Sequence, residues 1–97
     1  MLDLLEVDYS EDAQGNATFE LMASVRPQQV PTVNVAIDDV LAWAAAAFPG
    51  QQAPLDEGGE WDFDLQESSE DGWHVFNLSI SGTPHFCAAF RRRFAVD

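Results

Sequence analysis

The sequence predicts an α+β fold: an antiparallel β-sheet of four strands, or five on one reading of the C-terminal segment, with one or two helices packed on one face. Three observations carry this. Four stretches alternate apolar and polar residues with a period of two, as strands with one wet side do. Two segments instead space apolar residues three and four apart, as a helix with one buried stripe does. No internal repeat or low-complexity tract interrupts the 97 residues, 46% of them hydrophobic, which suits a single domain over 1–97 with one core.

Taken in order, Leu5, Val7 and Tyr9 alternate with Glu6 and Asp8, so residues 2–9 are expected to form the first strand, although Leu4 blurs the pattern. Ser10 to Asn16 is turn material. Thr18 to Arg26 follows as a cleaner strand, with Phe19, Leu21, Ala23 and Val25 on one side and Glu20, Ser24 and Arg26 on the other. The two strands are expected to pair as a hairpin. Pro27 and Pro31 cannot donate to a ladder and are expected to end it. Val33-Asn34-Val35 reads equally as a short strand or an early helical turn. Ile37, Val40, Leu41, Ala44, Ala47 and Phe48 then predict a helix, with Asp38 as its N-cap and Pro49-Gly50 as its stop.

Gln51 to Gly59 is expected to be a loop. Glu60 to Glu67, read as the central strand, alternates Trp61, Phe63 and Leu65 with Asp62, Asp64 and Gln66. A turn over Ser68 to Gly72, ending in the hairpin dipeptide Asp71-Gly72, leads to a strand from Trp73 to Ser81 with Phe76, Leu78 and Ile80 inward. Thr83-Pro84 resembles an N-cap followed by proline at the first helical position. Phe86, Phe90 and Phe94 fall four apart, so residues 84–95 are read as a second helix. The same residues also alternate at period two, which keeps a fifth strand as the alternative.

Charge is the outlying property. Seventeen acids face four arginines, lysine is absent, and the net charge is −13. Residues 1–72 hold sixteen of the acids with Arg26 alone against them, whereas residues 73–97 hold Arg91, Arg92, Arg93 and Asp97. Such a field repels nucleic acid and anionic membranes and attracts basic proteins. Solubility needs charges of either sign, so the exclusion of lysine argues for a field of one sign rather than for solubility alone. The eleven aromatic residues, by contrast, argue against disorder. The lone Cys87 excludes an intrachain disulfide and fits a cytoplasmic setting. Neither a signal peptide nor an uninterrupted apolar span long enough for a bilayer is apparent.

The expected partner-binding residues follow from where the acids fall. Asp62 and Asp64, two apart on one strand, place their carboxylates about 6.6 Å apart on one face, and Glu6 and Asp8 repeat that spacing. Glu20 joins them if the hairpin register allows. Glu60, Glu67, Glu70 and Asp71, with the other loop acids, extend the field. Trp73 falls on the side opposite Phe76, Leu78 and Ile80, where an exposed indole beside acids has the character of an interface anchor. Like charges facing each other destabilise a sheet, so their accumulation points to a function.

Catalytic readings find little support. His85 and Cys87 lie about 200° apart on a helix, and neither they nor His74 has an evident orienting partner. Cys87 is expected in the core. Asp62-x-Asp64 lacks the calcium-loop pattern, and no glycine-rich phosphate loop occurs. No catalytic residue, metal or cofactor is therefore expected. The Arg91-Arg92-Arg93 run is read as an internal counterweight that also suits a helix C-terminus.

The expectation is a non-enzymatic, acidic protein inhibitor of the immunity or antitoxin kind. It would occlude the basic active or nucleic-acid-binding site of a protein partner such as a nuclease toxin. This rests on surface chemistry alone. The alternatives are a phage-type nucleic-acid mimic acting against a defence protein, and a non-catalytic accessory domain whose acidity serves only solubility.

Overall fold

The computed structural model describes residues 5–94, so the expected strand residues 2–4 and the last residue of the expected second helix lie outside the described residues. It is an α+β fold: four antiparallel strands in the order β1-β2-β4-β3 and two α-helices. The strands are β1 Glu6–Glu11, β2 Ala17–Val25, β3 Trp61–Glu70 and β4 Trp73–Gly82. The helices are α1 Val30–Ala47 and α2 Pro84–Phe94. Single 3₁₀ turns cover Pro27–Gln29 and Leu55–Glu57.

Both hairpins form through local turn chemistry. The Asp12 carboxylate accepts the backbone N–H groups of Gln14 at 2.9 Å and Asn16 at 3.0 Å, which closes the β1–β2 loop. Between β3 and β4 the strands stay paired out to Glu70 and Trp73, leaving Asp71 (φ 53°) and Gly72 (φ 80°) as a two-residue turn. Positive φ at both positions is what the primed hairpin turns require. The turn is thus shorter than the Ser68 to Gly72 segment expected, and β3 is longer.

Two expectations are corrected. The Glu60 to Glu67 stretch is an edge strand, because β4 pairs with β2 on one side and β3 on the other. Its run of outward acids suits an edge, where charge discourages pairing with other chains. Helix α1 starts at Val30 rather than at Asp38, and Val33-Asn34-Val35 is helical. Pro27 opens the 3₁₀ turn, and Pro31 lies in the first turn of α1, where its missing N–H would have no helical partner anyway. Asp38 and Asp39 consequently lie mid-helix, exposed on the outer side of α1. The 21-residue stretch Pro27–Ala47 is long and apolar enough, by length and composition alone, to cross a bilayer. Here it buries Val33, Ile37, Val40 and Ala44 in the core.

Residues 84–94 are helical. Thr83 caps the segment, its Oγ1 accepting the Phe86 N–H at 3.3 Å and donating to Glu60 Oε2 at 2.6 Å. The spacing of four then sets Phe86, Phe90 and Phe94 in one ridge between sheet and α1. Phe90 stacks on Phe19 of β2 at 4.5 Å, and Phe86 lies parallel to Trp61 of β3 at 5.8 Å. Trp43 of α1 meets Phe86, Phe90 and Phe94 at 5.6, 6.0 and 5.5 Å. Both helices therefore sit on the same side of the sheet.

Close packing at the start of α2 needs a residue without a side chain. A Cβ at Gly82 would stand 2.2 Å from Phe86 Cδ2. Gly82→Ala is expected to cost about 1–3 kcal/mol of stability by overpacking, as measured by chemical denaturation, whereas Gly50→Ala meets no neighbour and suffers only its backbone strain.

Candidate protein-docking face

With both helices on one side, the alternation of each strand decides what the other side shows. Phe19, Leu21, Ala23, Val25, Phe76, Leu78 and Ile80 are buried toward the helices. The opposite parity therefore faces away, and among the described residues no helix covers it. The register arranges that open face in rows across the four strands. One row runs Asp8, Glu20, Ser79, Asp64, and the next toward one end of the sheet runs Ser10, Thr18, Ser81, Asp62. In the other direction lie Glu6, Met22, Asn77 and Gln66, then Ser24, Val75 and Ser68. Beyond these, Trp73 and Glu70 face each other.

Glu6, Asp8, Glu20, Asp62, Asp64 and Glu70 thus share one face, the hairpin register having brought Glu20 directly opposite Asp8. Directly opposed side chains on neighbouring strands have Cβ atoms about 5 Å apart, so Asp8 and Glu20 are close like charges. The partners these carboxylates have are neutral. Ser79 Oγ donates to Glu20 Oε1 at 3.0 Å, Gln66 Nε2 to Asp64 Oδ2 at 3.2 Å, and Gln52 Nε2 to Asp62 Oδ1 at 3.3 Å. These bonds hold the carboxylates in place without cancelling their charge.

Three of the four arginines stand elsewhere. Arg91, Arg92 and Arg93 are in the last turn of α2, on the helix side of the sheet. The Arg91 guanidinium lies 4.4 Å over Tyr9 and 5.6 Å from the Phe19 centroid, both on that side. Tyr9 Oη donates to Glu11 Oε1, which raises the Tyr9 pKa by favouring the protonated phenol, while Arg91 pulls the other way. Of the arginine run, Arg91 thus acts at Tyr9, on the helix side and away from the open face.

The remaining expected docking residues divide. Trp73 is on the open face, 41% exposed, with Val75 beside it at 39%. One side of its ring is taken by Arg26, whose guanidinium carbon lies 3.9 Å from the centroid. Asp71 is exposed in the hairpin turn at the same end. Glu60 is half-buried and held by Thr83 at the start of α2. Glu67 has the parity of Trp61, Phe63 and Leu65 and so falls on the helix side, where it is exposed.

At the end of the face near Asp62 an open cleft of about 710 Å³ lies between the β1–β2 loop and the Leu55–Glu57 turn. Glu11, Asp12, Asp56 and Asp62 line it over a floor that includes Thr18 and Ser81, whose hydroxyls are 2.8 Å apart. Sequence alone suggested that these loop acids extend the field; it had no signal that two distant loops meet across Asp62.

The groups weighed for catalysis are scattered. Cys87 is buried, its Sγ 3.4 Å from the Gly82 carbonyl oxygen, and burial pushes its thiol pKa up. His85 is exposed against Phe48, and His74 lies on β4 opposite Val25 and Ser69. Among the described residues no three His, Cys, Asp or Glu side chains are grouped to hold a metal ion. No family model, characterised protein or solved structure shows detectable similarity to the chain.

Neutralising one member of an opposed pair removes repulsion but keeps the acceptor geometry. Asp8→Asn and Glu20→Gln are each expected to leave stability unchanged or raise it by about 0.2–1 kcal/mol, measured by denaturation at low salt. A loss larger than that range would make these carboxylates structural.

Proposed function

We propose that the protein is a small acidic inhibitor of the immunity or antitoxin kind. Its open sheet face docks onto the basic active or nucleic-acid-binding surface of a protein partner and occludes it. The observation that carries this reading is the row Asp8, Glu20, Ser79, Asp64 and its flanking acids: charges gathered on an uncovered face, with the α2 arginines on the other side.

The physics of association supports it. An exposed field of one sign accelerates encounter with a basic surface, and salt screens the effect. Opposed carboxylates that repel one another when free are relieved when cations come between them, so their cost in the free protein becomes a gain in the complex. Size is adequate as well. Four strands about 4.8 Å apart and up to about 33 Å long make a face of roughly 500 Å². With its side chains and flanking loops, that approaches the roughly 800 Å² one partner contributes to a standard interface. The partner is a folded basic protein; the like charge of nucleic acid disfavours it as a direct ligand.

Two double charge reversals of equal net charge test this. Asp8→Lys with Asp64→Lys alters the open face, and Asp38→Lys with Asp39→Lys alters the outer side of α1. In affinity capture from cells, the wild-type protein is expected to retain a basic protein at low salt, release it at high salt and suppress its activity. The open-face variant should weaken that interaction by at least about tenfold, while the α1 variant stays within about threefold, as fits partner charges read locally rather than as net charge. Equal losses in both variants, or retention indifferent to salt, would refute the docking face.

A further inference from the structure

We infer that Trp73 is a guanidinium seat within the docking face, filled by Arg26 in the free protein and by an arginine side chain of the basic partner in the complex. This rests on the reading of the open face as the docking surface and specifies the partner group that one end of it recognises.

The structure already holds a stand-in for that ligand. Arg26 is the one arginine outside α2, and its guanidinium carbon is 3.9 Å from the Trp73 ring centroid. The chain has seventeen acids, yet among the described residues none forms an ion pair with Arg26. The guanidinium rests on the indole instead. The surroundings suit that group. Glu70 faces Trp73 across the β3–β4 register, and Asp71 follows in the turn, so a cation over the ring has carboxylates within the same end of the face. Gly72 lies beneath Arg26: a Cβ there would stand 3.2 Å from Arg26 Nη1. The turn thus leaves room for a planar group over the ring.

Exchange is feasible because the seat is at the surface. Arg26 and Trp73 are both exposed, and a cation–π contact at an exposed site accounts for only about a two- to five-fold change in an equilibrium. An incoming arginine approaching an acidic face is attracted by the whole field, whereas Arg26 gains nothing new by staying. Arginine is favoured over lysine because a planar guanidinium stacks on an aromatic ring and is more weakly hydrated than an ammonium.

The test titrates the full-length protein with an oligo-arginine and an oligo-lysine peptide of equal length at low salt, read by fluorescence anisotropy. Wild type is expected to prefer the arginine peptide. Trp73→Val should abolish that preference and Trp73→Tyr should keep most of it, with circular dichroism confirming the fold. Arg26→Gln should tighten the arginine peptide by about two- to five-fold more than Arg92→Gln, which removes the same charge from the helix side. If Trp73→Val leaves the preference intact, or if Arg26→Gln and Arg92→Gln act alike, the seat is overturned. Asp8→Asn with Asp64→Asn separates the two readings. A weakening of both peptides without any Trp73 effect upholds the docking face and removes the seat. Trp73 and Arg26 effects without any response to the acid variants uphold the seat and remove the docking face.

Discussion

The whole arrangement depends on one ridge of phenylalanines. Phe86, Phe90 and Phe94 lie along α2 between the sheet and α1, touching Phe19 and Trp61 on one side and Trp43 on the other. Buried aromatics of this kind bring large apolar area and defined ring geometry together. Because the ridge binds sheet and α1 at once, both helices stay on the same face. The opposite face is left to water, which is the condition for the acids to be displayed.

The local chemistry around the ridge is consistent with that division. Thr83 starts α2 by capping Phe86 and is itself held by Glu60, so the loop before β3 and the helix after β4 are joined at one point. Gly82 lets the Phe86 ring lie directly on the backbone. Glu60, though one of the acids first read as a contact residue, is used inside this joint. An acid near a helix N-terminus is favourably placed on electrostatic grounds. The acids of the open face have no such role: their hydrogen bonds come from serine and glutamine side chains and from the backbone N–H groups of Tyr9 and Phe63, and their neighbours across the strands include like charges. The two sets of carboxylates are chemically identical and do different work because one sits at a helix terminus and the other on an uncovered sheet.

Position in the fold likewise changes what a given residue type does. Pro27 and Pro31 were expected only to end a ladder. They also begin the 3₁₀ turn and α1, because the missing N–H that bars proline from a sheet is harmless in a first helical turn. Glu67, expected among the loop acids that extend the field, lies within β3, and its odd position gives it the parity of Trp61. Trp73 was rightly set on the polar side. Its cover by Arg26 could not be foreseen, since Arg26, just past the end of β2, and Trp73 of β4 are far apart in the chain.

What the sequence determined by itself was what short-range periodicity carries: four strands, one helix, the side each strand residue takes, and an excess of acid on the polar sides, while residues 84–95 fitted helix and strand periods alike. Those features follow from backbone geometry over a few residues. Which strand lay at the edge, which acids stood opposite one another and where the arginines ended up were decided only by the tertiary structure. These depend on how β4 pairs with both β2 and β3 and on how α2 folds back over them. Side-chain packing between distant segments selects that pairing, and local pattern alone does not encode it.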